Sequence, residues 1–417
     1  MNKVAILGGC RTAFCKAGTK LARHDALSLG KHVVEKSIST LELKESEIDE
    51  LVFSSVLLNP RTPNLAREII LRSELSNRIS AHFISNNCIS GLVAINAISE
   101  GIQSGRIQCG LAGGAESMSQ PTFTFSKSAE SFFMKMNGSR STGQMLSNLA
   151  SFRPKFLAPV PPSPKEPSTG LTMGQHCELT AKEFSVTRDE QDAWAYKSHA
   201  AAALAEKEGY LSDEIVSLGE AERDNFVRAD TSVEKLAKLR TVFDTSDAGT
   251  LTAGNSSGLT DGASIVCLMD EAKAKSESRE ILGYIEGVQY SSINPDDGLL
   301  MAPALALPKL LESLSLGTKD VDFFEIHEAF SAQVISNRIA WGDGWKKYPE
   351  LNKIGEIPDE KINPNGGSIA IGHPFAATGG RLILSAVNHL KRAGKKRAVI
   401  SVCAAGAMAA AVSIIRP

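Results

Sequence analysis

Four short blocks of the chain set reactive side chains beside turn-forming ones: Asn87-Cys88-Ile89-Ser90-Gly91, His327-Glu328-Ala329-Phe330, Gly372-His373-Pro374 and Cys403-Ala404-Ala405-Gly406. Each stands where an apolar, strand-like run gives way to a glycine turn or a helix, which is where α/β proteins present chemistry. Two thiols, an imidazole and a cluster of backbone amides are the parts needed to hold an acyl group covalently and to manage a carbanion. Cys88 precedes Ser90-Gly91 and an apolar-periodic helix, so its sulfur is expected at a helix N-terminus, where the dipole and unpaired amides would favour thiolate and lower its pKa. His373 lies between Gly366-Gly367 and Thr378-Gly379-Gly380, with Pro374 behind it. That loop is shaped to aim an imidazole, which would take the proton of Cys88 and later donate to an enolate oxygen. Cys403 ends a buried strand at a small-residue turn whose amides can face a developing oxyanion, and a thiol is a base of moderate strength for a carbon acid. Taken singly, each cysteine reads as a core thiol and each histidine as a satisfied one; their company is what points to catalysis.

The elements that must position these residues can be read from the hydrophobic pattern. Strands are expected at Val4 to Leu7, Leu51 to Val56, Gly110 to Gly114, Ile265 to Met269, Ile281 to Glu286, Phe323 to His327, Ala398 to Val402 and Ala410 to Ile415. They alternate with helical patterns, as α/β layering requires. One helix follows Cys88 with Leu92, Ile95, Ile98 and Ile102 in step; another follows His373 with Leu382, Ala386, Val387 and Leu390. A capping box at Thr187-Arg188-Asp189-Glu190 opens a third, through about Lys207. The two helix-then-strand stretches echo each other, each helix ending near a glycine (Gly105, Gly394). This suggests a duplicated core whose halves meet at their central helices. Residues 121 to 170 differ: they are rich in phenylalanine and proline, with Lys127, Lys135, Arg140, Arg153, Lys155 and Lys165 against Glu130 and Glu166. This stretch reads as an excursion over the active-site face, and Met145, Leu146, Leu149 and Phe152 recur in it at helical spacing.

With 417 residues, 42% hydrophobic content and a net charge of -2, the chain is long enough for two or three domains and carries no global basic field for nucleic acid. Seven cysteines without a CxxC pair or metal-ligand spacing read as reduced thiols. The amino terminus enters an apolar strand directly, without a signal-peptide or transit pattern, so a bacterial cytoplasmic location is expected. Ala398 to Ile415 carries no charge and has the length of a membrane span, but its small residues and central turn read better as two buried strands.

Together with Ala112-Gly113-Gly114-Ala115-Glu116-Ser117-Met118, Thr252-Ala253-Gly254-Asn255-Ser256-Ser257-Gly258 and Asn363-Pro364-Asn365-Gly366-Gly367 in the same order, the catalytic blocks resemble the thiolase family from Val4 to the last strand. The resemblance implies two pseudo-duplicated halves in five αβαβα layers with an inserted loop domain. An N-terminal half over 1–120 would be completed by about 250–280, the loop domain would span 121–249, and the C-terminal half 281–417. It implies Cys88 as the acylated nucleophile, His373 as its activator and Cys403 as the acid/base for the Cα of acetyl-CoA. The amides of Cys88 and Ala405 would form one oxyanion hole, and His373 with a water held by His327 the other. Met173, Phe243, Ala253, Ser257 and Phe330 fall on positions lining the pantetheine channel. His327 stands where many thiolases have asparagine; with the long insert, this is similar to the β-subunits of fatty-acid oxidation complexes. Ala407 stands where a second glycine is usual, and a positive φ there would strain the turn.

The activity so implied is that of a 3-ketoacyl-CoA thiolase of fatty-acid β-oxidation, with CoA and acyl-CoA as substrates and no metal or other cofactor. Acetoacetyl-CoA synthesis by the reverse reaction and a weakly catalytic acyl-CoA-binding subunit are the alternatives. A ketoacyl synthase would carry histidine or asparagine in place of Cys403. Expected partners are a second copy of the chain, a hydratase/dehydrogenase α-subunit, and a membrane surface met through 123–167.

Overall fold

A computed structural model describes residues 2–417. Its strands are β1 (Val4–Arg11), β2 (Cys15–Lys16), β3 (Glu50–Ser54), β4 (Ser80–Ile84), β5 (Cys109–Glu116), β6 (Thr260–Asp270), β7 (Gly283–Ser292), β8 (Phe323–Ile326), β9 (Arg397–Ala404) and β10 (Met408–Ile415). They run in the order β4-β3-β5-β6-β1-β7-β10-β9-β8, with β2 paired to β6 off that path. In the sheet the two halves pair through Ala5 with Tyr284 and Ile6 with Gly283. Their topologies match: β6 lies antiparallel between β1 and β5, and β5 parallel to β3. Likewise β10 lies antiparallel between β7 and β9, and β9 parallel to β8. In each half a long helix, Ser90–Gln103 or Thr378–Ala393, precedes the strand that has a parallel neighbour on one side and an antiparallel one on the other, β5 or β9. The duplication suspected from sequence is therefore present in the strand order.

Side-chain alternation along the strands builds the layers. In β1, Val4 and Ile6 face one core and Ala5 and Leu7 another; in β9, Ala398, Ile400 and Val402 face the first core and Val399 a third. The first core lies between the two half-sheets and holds both long helices, through Leu92, Ile95, Ile98 and Ile102 on one and Leu382, Ala386, Val387 and Leu390 on the other. Helices Ala26–Thr40 and Leu65–Arg72 cover the outside of the first half, and Pro303–Ser313 with the Trp341 side of Ser331–Asp343 covers the second. The result is five layers, αβαβα.

The uncharged stretch near the C-terminus forms β9 and β10, paired antiparallel from Ala404 with Met408 to Arg397 with Ile415. Among the described residues no helix is long and apolar enough to cross a membrane. Two strands escaped the sequence reading. β4 is half-exposed with a Ser-Ala-His-Phe-Ile composition, and β2 is only two residues long, so neither produces the apolar run by which a buried strand is recognised.

Close approach of the two central helices fixes where the halves meet. A Cβ on Gly91 would lie 2.5 Å from the Ala376 carbonyl oxygen, and one on Gly379 2.6 Å from the Leu92 nitrogen. Only hydrogen fits at either place. In the β9–β10 turn, Gly406 has φ +76° and Ala407 φ +56°; Ala407 is also fully buried. The strain expected at Ala407 is thus present, since the left-handed region disfavours a Cβ. Ala407→Gly is expected to raise the free energy of unfolding by roughly 0.5–1 kcal/mol. An unchanged or lower urea midpoint would show that the buried methyl outweighs the strain.

Candidate active site

The turn before the first central helix presents Cys88. Asn87 adopts φ +50°, and the Ser90 hydroxyl pins the turn by accepting from the Asn86 amide at 2.7 Å and donating to the Asn87 carbonyl at 2.6 Å. The helix itself starts at Ser90 after Ile89, so Cys88 lies just outside it. Leaving the partner half free to approach, Gly372 at φ +111° turns the chain so that the His373 amide donates to Thr260 Oγ1 at 3.0 Å. Nε2 of His373 then lies 3.2 Å from Cys88 Sγ, and Nδ1 lies 2.7 Å from Thr378 Oγ1.

The electrostatics correct one expectation. Burial pushes the Cys88 thiol up to about 12, opposed by its own amide and that of Ala405. Desolvation outweighs the helix terminus because the thiolate would sit among apolar side chains two residues short of the first helical amides. Burial, helped by the distant positive charge of Arg381, lowers His373 to about 3. The resting pair is therefore thiol and neutral imidazole, and the proton moves only as the sulfur attacks. The backbone amides of Cys88 and Ala405 both favour the charged form of the sulfur.

Cys403, near the end of β9, is 1% exposed. Its thiol is held well above the ordinary value by burial first, then by the neighbouring thiols Cys88 and Cys177; at rest it is a proton donor. The adjoining turn is clamped from two sides. Asn87 Nδ2 donates to the Ala405 carbonyl at 3.0 Å, and the Gly406 amide donates to Glu166 Oε2 at 3.0 Å. These are the two ends of one peptide unit, and Glu166 comes from the excursion, which therefore does reach the active-site face.

His327 follows β8, with its ring centroid 4.0 Å from that of His373. Its Nδ1 is 2.8 Å from Ser368 Oγ, and burial, His373 and Arg381 keep it neutral, well below the ordinary histidine range. Of the five residues that the resemblance assigns to a channel, Met173, Phe243 and Phe330 gather in one cluster with Cys403, Phe243 and Phe330 meeting edge to face at 5.7 Å. The Ser257 amide donates to the Ala329 carbonyl at 2.9 Å, beside Phe330. Ala253 is exposed on the preceding turn and is not part of that cluster.

Two residues that hold the site stand in the blocks quoted above, where the sequence gives them no role. Glu328 is a buried carboxylate that accepts from Trp194 Nε1 (3.1 Å), Ser198 Oγ (2.7 Å), Asn363 Nδ2 (2.7 Å) and the Ile369 amide (3.2 Å). It ties three segments beneath the two histidines. The signal available was an acid directly after an apolar strand, a place where a carboxylate survives only with several donors. Glu116, at the end of β5, is held similarly by Ser55, Val56 and Leu57. Among the described residues no group of three or more His, Cys, Asp or Glu is arranged to hold a metal.

Comparison with known proteins gives a consistent result. Residues 4–272 match the thiolase N-terminal domain and residues 279–416 the thiolase C-terminal domain. The chain is 40% identical to a 3-ketoacyl-CoA thiolase of Pseudoalteromonas translucida, over 98% of this chain and 96% of that protein. It is 38% identical to a 3-ketoacyl-CoA thiolase of Vibrio cholerae, over 99% of this chain and 96% of that one. Two crystal structures superpose on it with a TM-score of 0.83 each: the acetyl-CoA acetyltransferase of Bacillus anthracis (28% identity, 100% of this chain, 99% of that one) and the Acat5 thiolase of Ascaris suum in complex with coenzyme A (26% identity, 100% of both).

Proposed function

The chain belongs to the thiolase family, and from that premise we propose that it is a 3-ketoacyl-CoA thiolase, cleaving 3-ketoacyl-CoA with CoA to acetyl-CoA and a shortened acyl-CoA. The observation that carries the reading is the 3.2 Å approach of His373 Nε2 to Cys88 Sγ in a site where both groups rest neutral. The Cys88 thiol adds to the 3-keto carbon while its proton passes to His373 Nε2. The bond between that carbon and Cα breaks, and its electron pair leaves with acetyl-CoA as an enolate, which takes the proton of Cys403. The rest of the substrate remains on Cys88 as a thioester. CoA then gives its thiol proton to the Cys403 thiolate and adds to that thioester; Cys88 departs and recovers its proton from His373. The amides of Cys88 and Ala405 stabilise the oxyanion on the acyl carbon, and His373 with His327 the oxygen of the enolate. Met173, Phe243, Ser257 and Phe330 line the approach of the pantetheine arm, with Ala253 at its outer rim.

Incubation with a 3-ketoacyl-CoA and CoA tests this directly. Formation of acetyl-CoA and the shortened acyl-CoA, with an acyl adduct when CoA is withheld, supports it. Turnover of acetoacetyl-CoA alone would favour the biosynthetic alternative, and binding without turnover the acyl-CoA-binding one. Bacterial relatives sharing nearly the whole chain support a role in fatty-acid breakdown in the bacterial cytoplasm, and family resemblance a homodimer.

The excursion is proposed to meet an anionic membrane surface. Met145 (46% exposed), Leu146 (62%) and Leu149 (49%) form the outer face of a short helix, and Met134 (75%) and Leu157 (64%) are exposed elsewhere in the excursion. They stand in a segment whose basic side chains outnumber its acids, of which Glu166 is buried against Gly406. Phe152 does not share that face; it packs on Phe132 and Phe156 at 5.6 and 6.3 Å. Serine at 145, 146 and 149 should therefore abolish sedimentation with vesicles containing anionic lipid while short-chain thiolysis survives. Loss of long-chain turnover without vesicle binding in the parent would make the segment a lid over the acyl channel, and loss of co-purification with a hydratase/dehydrogenase subunit would make it a subunit contact.

A further inference from the structure

His327 is fully buried, yet its Nε2 has no hydrogen-bond partner while Nδ1 is occupied by Ser368 Oγ at 2.8 Å. A buried imidazole nitrogen left unpaired beside a reactive centre is costly unless a bound water or a substrate atom completes it. Whether that nitrogen can donate depends on which way the bond to Ser368 runs. Nη2 of Arg381, also fully buried, donates to the same Ser368 oxygen at 2.9 Å. A guanidinium only donates, so one lone pair of the hydroxyl is taken. If Nδ1–H also donated to that oxygen, the hydroxyl proton would have no recorded acceptor and Nε2 would be a bare lone pair. If the hydroxyl donates to Nδ1, the hydroxyl and Nδ1 are both satisfied and the imidazole proton sits on Nε2.

We propose that Ser368 and Arg381 are positioning residues which fix His327 as its Nε2–H tautomer, so that this nitrogen presents a donor to the oxygen on which charge develops when the carbon-carbon bond breaks or forms. Glu325 faces Arg381, its carboxyl 3.7 Å from Nη1 with both side chains fully buried and too far for a hydrogen bond; burial pushes that carboxyl up to about 8, opposed by the Arg381 charge. The order Glu325, Arg381, Ser368, His327 thus runs from β8 through the second central helix and back to the residue just after β8. None of the first three touches substrate; they act through the imidazole. The inference deepens the thiolase reading and rests on it for the identity of the oxygen, but the tautomer itself does not.

Two measurements separate those dependences. Nitrogen NMR of 15N-histidine-labelled protein should show neutral His327 protonated at Nε2 in the parent, a mixed or Nδ1-protonated ring in Ser368→Ala, and the parental tautomer again in Ser368→Thr, which keeps the hydroxyl. An Nδ1-protonated ring in the parent, or an unchanged one in Ser368→Ala, would overturn the proposal whatever the enzyme does. Kinetically, Ser368→Ala should lower kcat for cleavage on the order of a hundredfold, the scale of one oxyanion donor, with KM little altered. Asparagine carries its donor and acceptor on separate atoms and has no tautomer to set. In the His327→Asn background, therefore, the Ser368→Ala penalty should shrink to about twofold or less, a large coupling for two residues in contact. Equal penalties in both backgrounds would make Ser368 a packing residue and refute the proposal; a parent with the Nε2–H tautomer but no thiolysis would count against the thiolase reading alone.

Discussion

Replacing Cys88 with alanine is expected to remove thiolysis and the covalent acyl adduct together, by a factor on the order of 10⁴ or more, as for loss of an enzymic nucleophile. The structure narrows the candidates. Cys10, Cys15, Cys109, Cys177 and Cys267 are buried within the fold, and burial pushes Cys10 and Cys15 up to about 12. Cys88 also reaches about 12, but it alone is recorded with an imidazole in place to receive its proton, at 3.2 Å. Its reactivity is thus conditional: the thiol is poor until attack begins, and then a neutral base is already in place. Intact mass after incubation with acetyl-CoA, followed by peptide mapping, reads the result. A full adduct on any other cysteine of the parent would refute the assignment.

Cys403→Ala is expected to divide the reaction. Cleavage and formation of the carbon-carbon bond should fall about a hundredfold or more, the contribution of a positioned acid/base. Exchange of an acyl group between Cys88 and free CoA should fall much less, because no carbanion forms. Burial keeps Cys403 protonated at rest, which suits it to protonate the departing enolate first and act as base second. Equal losses in the two assays would reduce Cys403 to a core thiol of the cluster that holds Phe330 and Leu300.

Much of this could be read directly from the chain. Eight of the ten strands, both central helices and the capping box at Thr187 with Glu190 follow from period and turn chemistry. The strain at Ala407 was instead implied by the family resemblance, which has a glycine at that place. The thiol's charge state was misjudged, however. A helix terminus is visible in sequence, but the packing that strips water from Cys88 is not.

The same division holds for the site as a whole. Local sequence determined that Cys88, His327, His373 and Cys403 would each stand at the end of an element, because alternation and glycine turns are properties of neighbouring residues. Which of them meet was decided by tertiary structure. Cys88 and His373 lie 285 positions apart and come together only because Gly91 and Gly379 let two helices cross without a Cβ between them. Glu166 reaching Gly406, and Arg381 reaching Ser368 and through it His327, leave no periodic trace. A buried polar group is satisfied by whichever partner the packed layers bring to it, and that partner is fixed by the order of the strands.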